Sequence, residues 1–101
     1  MSYRYFIENG EGQREEVESY EAYERWQTTN ARYVVQTFLD RRTIEISTVF
    51  DGIVIMGPPD PPTYYETRIF GGPHADYEER YFTRAEALAG HLLLVRRCLN
   101  S

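Results

Sequence analysis

Arg68, Phe70, Arg80 and Tyr81, set around the pair Gly71-Gly72, are the residues whose types and spacing point most directly to ligand chemistry. Guanidinium forks bind phosphates bidentately, aromatic rings stack on bases, and glycine amides approach a ligand closely. With Arg97 added from the C-terminal segment, they form the binding set expected for a nucleotide-type small molecule. The competing reading is cross-strand pairing on a solvated sheet face. His74-Ala75-Asp76 places two metal-capable side chains two residues apart. Two ligands do not make a transition-metal site, and a third, such as His91, would have to come from elsewhere, so no metal and no cofactor is expected. His91 itself reads as a structural hydrogen-bonding residue. Cys98 follows Arg96 and Arg97, whose charge would lower the thiol pKa, but with no base or oxyanion turn it reads as a core-edge residue. No carboxylate sits where its pKa would rise, and no nucleophile elbow, Walker loop or dinucleotide fingerprint occurs. Binding is therefore expected ahead of catalysis.

The elements that must position these groups follow from periodicity. Residues 2–8 alternate with period two and predict a strand. Asn9-Gly10 suits a two-residue type I′ turn, with a weak return strand over 13–18. Ser19 is the expected N-cap of a helix carrying Tyr20, Tyr23 and Trp26 at spacing three as a core stripe, and ending near Asn30. Residues 32–39 and 43–50 predict two strands joined at Asp40-Arg41-Arg42. In the second, Ile44, Ile46, Thr48 and Phe50 face one way and Glu45, Ser47 and Val49 the other. An apolar stretch, 53–56, leads into Gly57-Pro58-Pro59-Asp60-Pro61-Pro62, a stiff polyproline-like arm that is either a rigid connection or a docking surface. Residues 63–70 predict a strand with Tyr65, Thr67 and Ile69 on one face and Tyr64, Glu66, Arg68 and Phe70 on the other. Gly71-Gly72-Pro73 ends it, and 74–80 read as a polar loop. A capping box, Thr83 with Glu86, opens a final helix with an apolar stripe of Leu88, Leu92, Val95 and Leu99. Arg96 and Arg97 complement its dipole, and Gly90 requires close packing against the sheet. Together these predict one α+β domain over residues 1–101: an antiparallel sheet of about four to five strands with two helices packed on it.

Composition narrows the function classes. With 101 residues, 42% of them apolar, the chain suits one domain. No apolar run approaches the roughly 20 residues of a membrane span, and the N-terminus lacks a basic-then-apolar leader, so a cytoplasmic protein is expected. One cysteine excludes an internal disulfide and a cysteine-built zinc site. Eleven basic against sixteen acidic residues give a net charge of −5, which repels duplex nucleic acid and makes generic nucleic-acid binding unexpected. All eleven basic residues are arginine. Residues 8–24 hold seven glutamates against Arg14, whereas 25–42 hold four arginines against Asp40, so the chain is dipolar. Fifteen aromatic residues in so short a chain point to a homo-oligomer or partner interface.

Several short motifs follow one another in order: Ser47-Thr48-Val49-Phe50, Gly57-Pro58-Pro59, Tyr65-Glu66-Thr67 with Phe70-Gly71-Gly72, Tyr81 with Thr83 and Glu86-Ala87, and Ala89-Gly90-His91. Over about residues 46–92 this order resembles a family of small proteins of actinobacterial phages and prophages. Many relatives carry Leu-Gly-x-Asp-His where this chain has Asp51-Gly52-Ile53-Val54-Ile55, so no role of such an Asp-His pair carries over. The resemblance implies a phage accessory protein in the host cytoplasm that works by stoichiometric binding. The leading expectation is counter-defence by sequestering a nucleotide-type immune signal through Arg68, Phe70, Arg80, Tyr81 and Arg97. The alternative is an inhibitor that docks on a host defence effector or nuclease through an acidic surface. A small hydrolase using His74 and Asp76 ranks last.

Overall fold

Strict alternation builds the centre of the molecule. A computed structural model describes residues 2–29, 33–56 and 62–100. In chain order the elements are β1 (Ser2–Glu8), β2 (Arg14–Val17), α1 (Tyr20–Thr29), β3 (Tyr33–Leu39), β4 (Ile44–Phe50), β5 (Ile53–Met56), β6 (Tyr65–Phe70), β7 (Glu78–Tyr81) and α2 (Arg84–Leu99). In β4, Ile46, Thr48 and Phe50 are fully buried, and in β6 so are Tyr65, Thr67 and Ile69, nearly without exposure. The two strands pair antiparallel with Thr48 opposite Thr67 and Ile46 opposite Ile69, so their apolar faces coincide.

The expected α+β domain is what the described residues form, but the strands divide between two antiparallel sheets instead of one. One sheet has the order β2-β1-β5 and the other β3-β4-β6-β7. The chain passes from one to the other at Asp51-Gly52, where Asp51 N–H extends the β4–β6 ladder by donating to the Tyr64 carbonyl at 2.8 Å and Phe6 N–H extends the β1–β5 ladder by donating to the Gly52 carbonyl at 2.8 Å. Phe6 and Val54 from the first sheet pack with Phe50, Tyr64 and Tyr65 beside the second and with Ala87 of α2, and Trp26 of α1 closes this core. Its rings meet edge to face, Trp26 to Phe50 at 5.5 Å and Phe50 to Tyr65 at 5.4 Å. A second cluster, Ile46, Ile69 and Leu94, lies between the four-stranded sheet and α2. At Gly52 the connection between the sheets lies tightly against β1 and α1, because a Cβ there would overlap the Phe6 carbonyl and crowd Tyr23.

Several local expectations change. The turn after β1 spans residues 9–13, since Glu8 pairs with Arg14, and positive φ falls at Gly12 instead of at Asn9-Gly10. The Asn9 carboxamide oxygen explains the longer loop: it accepts from Glu11 N–H at 2.9 Å and Gln13 N–H at 3.0 Å. Asp40, Arg41 and Arg42 are all left-handed, with φ of 48°, 55° and 70°, and Thr43 holds this turn by donating its hydroxyl to the Asp40 carbonyl at 2.8 Å. Part of the expected 74–80 loop is a strand, β7, with Glu78, Glu79 and Arg80 exposed. An edge strand that is charged on its open side shows no apolar alternation to read. Tyr64 precedes β6 and turns inward against Phe6, with the Arg14 guanidinium 3.7 Å above its ring. The proline arm over 57–61, and the expected strand start at Arg32, lie outside the described residues.

The final helix opens with the expected capping box, Glu86 N–H donating to the Thr83 hydroxyl and Thr83 N–H to the Glu86 carboxylate. Its buried face is not the leucine stripe. Ala87, Gly90, His91 and Leu94 face the sheet, while Leu88, Leu92 and Leu99 are exposed. Small residues win because Tyr81 fills the space beneath the helix: a Cβ at Gly90 would overlap its phenol. Tyr81, partly buried there with its hydroxyl donating to Glu79, has a phenol pKa pushed up to about 12 by burial and by that carboxylate. Cys98 packs at the edge of the second cluster, and burial raises its thiol pKa, outweighing the lowering effect of Arg97. Cys98 is thus the core-edge residue expected, but the expected lowering of its pKa is corrected.

His91 is the polar centre of the helix–sheet contact. Its ring is 2% exposed, with Nε2 2.8 Å from the Thr37 hydroxyl and Nδ1 2.8 Å from the Thr48 hydroxyl, which in turn lies 2.5 Å from the Thr67 hydroxyl. Both threonine oxygens adjoining the ring can accept, so burial is what lowers the His91 pKa below 6.5. The unfolded chain then takes up a proton that the folded chain refuses. Stability is complete above about pH 6.5 and declines as pH falls below it, by at most about 1.4 kcal/mol per pH unit. Urea unfolding at pH 7 and pH 5.5 checks this, and His91→Gln is expected to flatten the slope in that window.

Candidate functional site

The outer face of the four-stranded sheet, away from α2, gathers the polar side chains of β4, β6 and β7. Glu45, Ser47 and Val49 project there from β4 by strand alternation, Ser47 being buried at the floor of this face. Register sets Ser47 opposite Arg68, Val49 opposite Glu66 and Glu45 opposite Phe70. On the other side of β6, Glu66 faces Arg80 and Arg68 faces Glu78. The result is a groove of about 540 Å³ with Tyr33 and Phe70 among its lining side chains and Glu45, Asp51, Glu66 and Arg68 as its charged groups.

Carboxylates hold both guanidinium groups in place. Arg68 Nε lies 2.7 Å from Glu66 and Nη2 lies 2.7 Å from Glu78. Arg80 reaches Glu66 at 2.5 Å, Asp51 at 3.2 Å and the Thr63 hydroxyl at 2.9 Å. Glu66, and then Glu78, raise the Arg68 pKa further above its ordinary value. Glu45 accepts from the Ser47 hydroxyl and from the Gln36 amide at 3.2 Å. Four acids (Glu45, Asp51, Glu66, Glu78) stand against two arginines, so the face presents fixed positive forks inside an acidic rim. Such a lattice accepts hydrogen bonds from hydroxyls and amines as readily as it donates to an anion.

Of the five expected ligand residues, Arg68, Phe70 and Arg80 share this face. Tyr81, next along β7, points to the opposite face under Gly90. Arg97 is in the last turns of α2, where its guanidinium stacks 5.5 Å from the Tyr77 ring centroid. The structure therefore brings three together and leaves two elsewhere. His74 and Asp76 belong to the turn before β7, and among the described residues no group of three or more His, Cys, Asp or Glu side chains is placed to hold a metal ion. Tyr33, Glu45 and Asp51 were missed as lining residues. The alternation of β4 shows which way Glu45 points, but only the order β3-β4-β6 places it beside Arg68.

No family model, curated protein or solved structure matches this chain. Among the described residues no helix is long and apolar enough to cross a membrane.

Proposed function

We propose that this chain is a stoichiometric binding protein that holds a nucleotide-type small molecule in the outer groove. In the phage setting implied by the sequence resemblance, such capture acts as counter-defence by withdrawing an immune signal from its receptor. The observation that carries this reading is the convergence of Arg68 and Phe70 with Tyr33 in one groove, with Arg80 held beside it by Asp51 and Glu66. The groove volume lies within the roughly 300–1,000 Å³ of small-molecule sites. Rings at Tyr33 and Phe70 offer stacking surfaces for a base, and Arg68 offers a phosphate fork. Glu45, Asp51 and Glu66 suit ribose hydroxyls and base amino groups, and the acidic rim disfavours polyphosphates. The preferred cargo is therefore a ribosylated or cyclic nucleotide with few phosphates.

Calorimetry and thermal shift with cyclic dinucleotides and cyclic ADP-ribose isomers test this. A thermal upshift is expected, with intact ligand released on heating. Arg68→Ala is expected to weaken affinity about tenfold or more, the effect of losing one charge-assisted pair of about 1.5–3 kcal/mol. Unchanged affinity in both Arg68→Ala and Arg80→Ala would remove the groove from consideration.

A second reading rests on a different surface. Glu8 is taken up by Arg84 and the Tyr65 hydroxyl, and Glu16 by Arg4, but Glu11, Glu15, Glu18, Glu21 and Glu24 are exposed around β2 and α1. This is the surface an inhibitor of a basic host effector or nuclease would use. It calls for co-purification of a host protein in a complex weakened by salt and by neutralising Glu15 and Glu18.

A further inference from the structure

We propose that the open edge of β3 is a homodimer interface at which a second copy adds its own β3 antiparallel about a two-fold axis. The edges of the two sheets are treated unequally. Of the four edge strands, β2 (REEV) and β7 (EERY) are four residues long with three charges each, the usual protection against edge pairing, and β5 (IVIM) is uncharged but also only four residues long. β3 (YVVQTFL) is seven residues long, carries no charge and no proline, and among the described residues no strand pairs with its outer edge. A long neutral edge is what strand addition requires.

The helix above supplies the rest of the surface. Gly90 of α2 faces Tyr81 of β7, and His91 reaches Thr37 of β3. At about 100° per residue, the sense of rotation that runs from Gly90 through Leu94 to His91 continues through Val95 to Leu88, Leu99 and Leu92. The exposed leucines therefore overhang the β3 side. Leu88, Leu92 and Leu99 are 39%, 64% and 63% exposed, and on the other face of β3 Tyr33 and Phe38 are 54% and 41% exposed. At about 100 Å² of apolar surface per leucine the overhang supplies about 300 Å², and the two rings add about 200 Å². With the strand edge itself this approaches the roughly 800 Å² per partner of a stable dimer.

A second copy is the occupant that fits, because a two-fold axis normal to the sheet sets both α2 helices on one side, leucines facing leucines. Gln36, the middle residue of β3, then lies near its own copy, and no like charges meet anywhere along the strand. The axis also joins the two outer faces, so that Phe38 of the second copy borders the groove at Tyr33. The interface and the groove meet at Tyr33, but association does not require a ligand, and the other groove-lining side chains, Arg68 and Phe70 among them, lie away from the β3 edge on β4 and β6 or next to them.

Sedimentation equilibrium on the whole chain is expected to give twice 11.9 kDa at about 100 µM. Gln36→Lys, which opposes two ammonium groups at the axis, and Leu99→Glu are each expected to weaken association about tenfold or more. Leu93→Glu, equally exposed but on the other side of α2, is expected to leave it unchanged. In the wild type, the alternate amides of residues 33–39 that point away from β4 are expected to lose exchange protection on dilution, while those bonded to β4 keep it. A mass of 11.9 kDa at every concentration, a dimer indifferent to both Gln36→Lys and Leu99→Glu, or outward-pointing 33–39 amides equally protected in dimer and monomer would each overturn the proposal.

Discussion

Thr48→Val is expected to lower the unfolding free energy by about 2–3 kcal/mol, although the two side chains are nearly the same shape. The Thr48 hydroxyl lies between His91 Nδ1 and the Thr67 hydroxyl in a fully buried position. Removing it leaves an imidazole nitrogen without a partner at the helix–sheet contact, which costs about 1–3 kcal/mol. Thr67 suffers less, since the Tyr81 hydroxyl is also a partner. Thr48→Ser keeps the hydroxyl and is expected to cost only about 1 kcal/mol for the lost methyl. For a domain of this size each kcal/mol lowers the melting temperature by roughly 4–8 °C, so calorimetry separates the two variants. If valine were as stable as wild type, the network would contribute no net stability and the assignment of His91 as a structural residue would fail.

Gly52→Ala is expected to have the larger effect, a loss of about 3 kcal/mol or more. The added methyl would overlap the Phe6 carbonyl and come within 2.7 Å of Tyr23 Cε1. Neither neighbour can yield cheaply: Phe6 is fixed by its own N–H bond to Gly52 and by both strands flanking β1, and Tyr23 is fully buried. Overpacking of a well-packed core costs about 1–3 kcal/mol, and more where backbone must move. Gly10→Ala, with no atom within 4 Å of the new methyl, serves as the neutral control. Equal melting temperatures for Gly52→Ala and Gly10→Ala would mean that the two sheets are not locked at this point.

Some of the site was legible before any coordinates. The faces of β4 and β6 followed from alternation, and they correctly put Arg68 and Phe70 on the side opposite Thr67 and Ile69. Arg80 joined them only because β7 exists, and β7 is invisible to periodicity because its exposed, charged side chains, two of them paired with Glu66 and Arg68 of β6, show no apolar alternation. Tyr81 illustrates the same point from the other side. One residue's step along a strand reverses the face, so a site residue named from proximity in sequence to Arg80 had to point away from it. The leucine stripe of α2 was real in spacing but not in burial, because the helix turns Ala87, Gly90, His91 and Leu94 to the sheet, with Gly90 seated over Tyr81.

What the chain determined by itself was local: the alternation of 43–50 and 63–70, the Thr83–Glu86 cap, the requirement for close approach at Gly90, and the charge imbalance between its first segments. These depend on backbone sterics and on neighbours within a few residues, which any conformation of the chain shares. The tertiary structure decided strand order, the division into two sheets, the joining of Arg68 to Arg80 through Glu66, and the exposure of Leu88, Leu92 and Leu99 beside β3. Those depend on which distant surfaces fill one another's space, and that complementarity exists only once the chain has closed on itself.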